Sequence, residues 1–223
     1  MPQRLSFRSV HAGLLALAIL APRNALGANA SVTEAAGSAS APKAATAPAT
    51  ASSPAIPSPA EPSYGGDSNT AKARALVDAA INMTDSERAV KLLWQATEID
   101  PTLAEAYIYL ALYYNSRSNF AKVVDVYQKL VKYQPKEVSA YLNIGEAYMS
   151  FTPPRLEDAL PYYRKALELN PASSFAALRL GEIYAQQGNR GEAVKFLRLA
   201  SADRAKNPDI ADQADKFLRD IGS

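Results

Sequence analysis

The chain has 223 residues, with 24 basic and 22 acidic side chains, one histidine and no cysteine. Disulfides and cysteine-based metal sites are excluded, and so near a charge balance lacks the electrostatic footprint of a nucleic-acid binder. The composition averages unlike zones. Residues 70–221 hold nearly all the aromatics and most of the charge, and only they can bury a core that offsets chain entropy.

In chain order, Arg4, Arg8 and His11 precede an apolar run over residues 12–20, and small residues follow at Gly27, Ala28 and Ala30. That order predicts a secretory signal peptide over residues 1–30. The run is shorter than the about 20 residues that span a bilayer. Ala25-Leu26-Gly27 and Ala28-Asn29-Ala30 are both acceptable cleavage sites. An uncleaved membrane anchor and an organelle transit peptide are the alternatives. Removing the leader takes Arg4, Arg8, Arg23 and the single histidine, and leaves 21 basic against 22 acidic side chains. The expected location is periplasmic, with secretion or inner-membrane anchoring as alternatives. Membrane contact is expected only if the leader stays, and no nucleic-acid partner is expected.

Residues 31–69 are mostly Ala, Pro, Ser, Thr and Gly. Pro42, Pro48, Pro54, Pro57, Pro59 and Pro62 interrupt any helix that the alanines favour. The segment is predicted to be a disordered linker with polyproline character near residues 54–62. As a flexible coil of about 42 residues, counted from Ala28, it would reach roughly 35 Å. It is read as a spacer without a partner of its own.

From Thr70 the pattern turns helical. Ala75, Leu76, Ala79 and Ala80 fall at helical spacing, as do Ala89, Leu92, Leu93 and Ala96. Pro101, Pro135 and Pro171 follow at intervals of 34 and 36 residues, and Pro208 follows 37 later. A beat of this kind marks one helical unit copied and stacked. Asp100 and Asn170 stand where helix N-caps are expected, each with proline next at the first helical position; Asn207-Pro208 repeats the device.

Aligned on the prolines, the units resemble tetratricopeptide repeats. The third fits best, with Tyr141, Ile144, Gly145, Tyr148, Ala159, Tyr163, Ala166 and Pro171. The fourth supplies Leu180, Gly181, Tyr184, Gly188, Ala193, Leu197 and Ala200, and the second Tyr107, Leu110, Ala111, Tyr114, Val123, Tyr127, Leu130 and Pro135. The first is degenerate, with Leu76, Val77, Ala80, Ala89, Leu93, Ala96 and Pro101. The resemblance implies an all-α, right-handed superhelical solenoid of antiparallel helix pairs over residues 70–207. The repeats are expected at about 70–103, 104–137, 138–173 and 174–207. A capping helix over residues 208–223 is expected to bury Ile210, Ala214, Phe217, Leu218 and Ile221. Two departures fall in the third unit: extra residues around Phe151-Thr152-Pro153-Pro154, read as a tolerated irregular turn, and Pro161 early in the second helix.

In that family the first helix of each pair lines a concave groove. Position by position, the resemblance places Arg74 and Asp78 of the first unit there. The second adds Ile108, Tyr109, Leu112 and Asn115, and the third Asn143, Glu146 and Met149. The fourth adds Phe175, Arg179 and Glu182. Leu142 and Leu178 share those rows but are read as candidates for packing. Asn143 and Arg179 suit the two-carboxylate clamp of chaperone adaptors, but Ile108, Leu112 and Phe175 occupy its remaining positions and cannot hold a carboxylate. The expected partner is therefore a protein peptide or helix with apolar anchors.

Once the leader is removed no histidine or cysteine remains, and no phosphate-binding glycine loop is visible. Catalysis, cofactors and metals are not expected. Glu146 and Glu182 occupy equivalent places in adjacent units, which suggests a glycosidase-like pair, but repetition accounts for them equally. The expected function is a non-catalytic scaffold for assembly of a cell-envelope complex. Alternatives are polysaccharide binding on Tyr109, Tyr114 and Phe175, and self-association through the repeat ends.

Overall fold

The computed structural model describes residues 67–222. The predicted leader and residues 31–66 of the predicted linker lie outside them. The described chain runs through α1 (Asp67–Ile81), α2 (Ser86–Ile99), α3 (Ala104–Asn115), α4 (Phe120–Tyr133), α5 (Val138–Met149), α6 (Leu156–Leu169), α7 (Ser174–Gln186), α8 (Arg190–Ser201) and α9 (Pro208–Gly222). Sequential pairs α1–α2, α3–α4, α5–α6 and α7–α8 pack as hairpins. The second helix of each pair also packs on the first helix of the next, and α9 packs on α8 and α7. Among the described residues there is no strand. The array is an all-helical solenoid closed at its C-terminal end by α9.

The first helix starts at Asp67, three residues before the predicted boundary. Asp67, Ser68 and Asn69 read as the end of a polar linker. An acidic residue followed by small polar ones is also what a helix N-terminus favours.

Polar side chains cap most of the other helices. Asp85 accepts from the amides of Glu87 and Arg88, both at 3.1 Å. Asn119, Ser173 and Asn189 accept from the third residue onward, at 3.2, 3.3 and 3.3 Å. Each satisfies an amide that the first turn would otherwise leave open.

The proline beat has a different cause from the one expected. Asp100 and Asn170 are not N-caps; they end α2 and α6, and α3 and α7 start four residues later, at Ala104 and Ser174. Each Asx-Pro pair opens a β-turn. The Leu103 amide donates to the Asp100 carbonyl at 3.1 Å, and the Ser173 amide to the Asn170 carbonyl at 3.0 Å. Proline's fixed φ suits the second position of such a turn, and the Asx side chain holds the amide two residues on: Thr102 at 2.9 Å, Ala172 at 3.2 Å. Gln134-Pro135 makes the same turn. Only Asn207-Pro208 behaves as predicted, with Pro208 the first residue of α9.

Asp100 is 2 % exposed, and it ties the first hairpin to this turn. Its carboxylate accepts from the Thr102 hydroxyl at 2.6 Å and from the Thr70 hydroxyl of α1 at 2.7 Å. Burial acts to raise its pKa, but the bonds from Thr102 and Thr70, with the charge of Arg74, outweigh burial and hold the carboxyl below its usual range. A depressed folded-state pKa stabilises the protein above the unfolded value and ceases to do so as pH falls through the folded one. Asp100→Ala is therefore expected to cost about 1–3 kcal/mol at pH 7. That difference is expected to shrink below about pH 4, where the unfolded carboxyl is protonated too. Urea titrations of both proteins at pH 7 and pH 3 test this; an equal difference at both pH values would contradict it.

The core repeats small against large. Ala89, Ala96, Ala159, Ala166, Ala193 and Ala200 are fully buried, and Tyr107, Tyr141 and Tyr163 are the largest side chains among those sealed from solvent. A Cβ on Gly145 would lie 2.6 Å from the Tyr163 ring, and one on Gly181 would lie 2.6 Å from Leu197 Cγ. These two glycines set the spacing between the helices of the third and fourth hairpins. In α9, Ala211 and Ala214 are buried, and Ile210, Phe217, Leu218 and Ile221 pack beside them. Pro161 sits inside α6, where it removes one amide donor, and the helix continues past it. The inserted turn is held by rings: Phe151 packs on Tyr148 and Phe120, with Arg155 beside Tyr148 and Phe151.

Candidate partner-binding groove

The groove face is built from the first helices of the hairpins. Each contributes residues one helical turn apart, so Asn143, Glu146 and Met149 share a face of α5, and Phe175, Arg179 and Glu182 a face of α7. These helices meet through Arg179. Its Nε and Nη2 each donate to Glu146 at 2.7 Å, a bidentate pair across the repeat boundary, and its Nη1 donates to Glu182 at 2.8 Å. All three nitrogens are thus committed within the protein. The guanidinium also lies over the Phe175 ring, 5.1 Å from its centroid.

Glu146 has a third partner. The Tyr163 hydroxyl, arriving from α6, donates to Glu146 Oε1. Burial foremost, and then the neighbouring Glu146 charge, push the Tyr163 phenol far above its ordinary range, so it stays a proton donor. The side chains of Arg179, Glu146 and Glu182 are 27, 25 and 18 % exposed, so the network is partly shielded yet open on the groove side.

Toward the N-terminal end, Ile108, Tyr109, Leu112 and Asn115 are half-buried on α3, and Arg74 and Asp78 are exposed on α1. Burial raises the Tyr109 pKa, and the charges of Glu105 and Asp78 add to the effect. Asn143 turns inward, donating from Nδ2 to the Ser139 carbonyl at 2.8 Å. Leu142 and Leu178 are 4 and 2 % exposed and serve packing.

Tyr163 and Glu105 join the site although the residue pattern did not single them out for it. Tyr163 was legible only as a core ring; its hydroxyl reaches the groove because Gly145 lets the ring pass. Glu105 was legible by spacing, three and four residues before Ile108 and Tyr109. Glu146 and Glu182 do not face each other across an open gap. Arg179 stands between them, where a glycosidic oxygen would have to lie. Of the rings considered for sugar stacking, Tyr114 accepts from Trp94 Nε1 at 3.4 Å and Phe175 lies under Arg179. A separate cleft of about 420 Å³ lies on the second-helix side, with Leu167, Leu180 and Phe196 beneath Arg164, Glu168, Glu192 and Lys195.

Paired helices in register, glycine-spaced hairpins and a capping helix define a helical-repeat solenoid. Residues 155–213 match the tetratricopeptide repeat family. Mouse tetratricopeptide repeat protein 21B is 27 % identical over 146 residues, covering 65 % of this chain and 11 % of that protein. Human superkiller complex protein 3 is 29 % identical over 133 residues, 57 % of this chain and 8 % of that one. Rat mitochondrial import receptor subunit TOM70 is 25 % identical over 121 residues, 54 % and 20 %. The chain thus matches between 8 and 20 % of the length of these relatives. The crystal structure of MamA superposes with a TM-score of 0.51 at 24 % identity, covering 64 % of this chain and 77 % of that one, a likeness of fold. The helical array is a tetratricopeptide-repeat solenoid.

Proposed function

We propose that this protein is a non-catalytic scaffold that takes an apolar-anchored peptide or helix of a partner protein in the groove of α1, α3, α5 and α7. The observation that carries this reading is that Ile108, Leu112, Met149 and Phe175 stay partly exposed on α3, α5 and α7, while Tyr107, Tyr141, Tyr163 and the core alanines are sealed. Partial burial on a packed scaffold leaves apolar area for a partner to cover without an ordering cost to the groove itself. Among the relatives, the names "complex protein" and "import receptor subunit" are in keeping with protein binding. The signal-peptide pattern of residues 1–30 and the proline-rich stretch behind it support a partner complex in a cell envelope.

The test is capture from the native cells by tagged full chain, wild type against Ile108→Ser/Leu112→Ser. The double variant is expected to lose at least tenfold of the specifically captured partner, while a change on an outer helix, Lys91→Ala, leaves capture intact. Equal capture by the groove variant, with its melting curve preserved, would overturn the reading. Mapping the N-terminus of the protein from those cells tests export: an intact Met1 in a cytoplasmic fraction would contradict it.

A further inference from the structure

Charge is not spread evenly over the solenoid. The inner helices α1, α3, α5 and α7 carry five acids, Asp67, Asp78, Glu105, Glu146 and Glu182, against three cations, Lys72, Arg74 and Arg179. The outer helices α2, α4, α6 and α8 carry the reverse, ten Lys and Arg against seven acids. On α3, α5 and α7 the one cation is spent, since the three nitrogens of Arg179 already hold Glu146 and Glu182. The cluster is left with one net negative charge, because Tyr163 stays neutral. A second acidic pair, Asp78 of α1 and Glu105 of α3, is exposed toward the N-terminal end. Arg74 is exposed on the same helix as Asp78. Between these points run Ile108 and Leu112, which are apolar.

We infer that the groove's occupant is a basic amphipathic segment of a partner protein, with apolar side chains on Ile108, Leu112 and Phe175 and a Lys or Arg at each end, facing Glu182 and Glu146 at one and Asp78 and Glu105 at the other. This rests on the proposed groove. It reverses the polarity of a carboxylate clamp: Arg179 is a strut, and carboxylate oxygens are what the groove offers. An incoming ammonium or guanidinium would be attracted by opposite potential, whereas an acidic segment would bring like charge against Glu105, Glu146 and Glu182.

Selection from a displayed library of random 16-residue peptides on the full chain, with re-binding to Ile108→Ser/Leu112→Ser, reads both points separately. The expected pool has Lys and Arg exceeding Asp and Glu at least threefold, fails on the groove variant, and weakens about tenfold on Glu182→Gln/Asp78→Asn. An acid-rich or charge-balanced pool that still needs Ile108 and Leu112 would overturn the charge inference and leave the groove standing. A pool that binds the groove variant unchanged, or no enriched pool at all, would overturn both. Self-assembly of the full chain in light scattering, lost in the groove variant and blocking selection, would replace the proposed segment by a second copy.

Discussion

Replacing Arg179 by Met is expected to lower the unfolding free energy by about 2–3 kcal/mol, below the about 3–5 kcal/mol for breaking one side of a fully buried ion pair, because these side chains keep some solvent contact. The physical reason is what stays behind. Glu146 and Glu182, 25 and 18 % exposed, would keep their charges and lose the guanidinium that bridges the third and fourth hairpins. The triple change Glu146→Gln/Arg179→Met/Glu182→Gln is expected to be more stable than Arg179→Met alone, because it removes the stranded charges along with the cation. Urea unfolding followed by circular dichroism measures both. If Arg179→Met unfolds at the wild-type midpoint, Arg179 is not a strut and becomes available to a partner after all.

Gly181→Ala is expected to destabilise by about 1–3 kcal/mol, although alanine in a helix is intrinsically favoured over glycine by up to about 1 kcal/mol. The new Cβ would stand 2.6 Å from Leu197 Cγ and 3.1 Å from the Leu197 backbone nitrogen. A side chain can rotate away, but the α8 backbone moves only with its hairpin. Leu197→Ala alone is expected to cost about 2–5 kcal/mol by opening a cavity in a side chain that is fully buried. Combined, the two are expected to cost at least about 1 kcal/mol less than their sum, since each relieves the other. Gly191→Ala is the control: its nearest neighbour is 3.9 Å away, so it should be neutral or stabilising. Full additivity at Gly181 and Leu197 would show that the close approach is not what sets the hairpin spacing. Gly145→Ala carries a second consequence, because displacing the Tyr163 ring also pulls its hydroxyl from Glu146.

The solenoid was legible because packing between repeats is local and periodic. Gly145 with Tyr163 and Gly181 with Leu197 recur in register once the extra residues of the third unit are allowed for, and Ala166 is fully buried beside them in sequence, as stacked helix pairs require. The turns were less so. Asp-Pro and Asn-Pro suit two local structures, a helix N-terminus and the first half of a β-turn, and Asp100 takes the turn. What decides is Thr102, whose amide and hydroxyl both bind Asp100, and the need for three more residues to reverse direction into α3. Asn207 precedes a helix that caps a finished stack, and there the helical solution holds.

Spacing within each helix was legible, and the ion pairs between helices were not. Residue spacing places Phe175, Arg179 and Glu182 on one face, and it suggests the Arg179–Glu182 pair three residues apart. It does not reveal that Glu146, 33 residues earlier, takes the other two donors of the guanidinium. That contact depends on the rise between neighbouring repeats, a three-dimensional quantity that spacing along one helix does not contain.

Site-specific photocrosslinking in the native cells tests the central claim most directly, with the photoreactive residue placed either at Leu112 in the groove or at Lys91 on an outer helix. The groove position should yield one discrete protein adduct, with the crosslink mapping to a Lys- or Arg-flanked apolar segment, and the outer position should not. Adducts from the outer position alone would show that partners are held on the second-helix side, and the groove would not be the working surface of this protein.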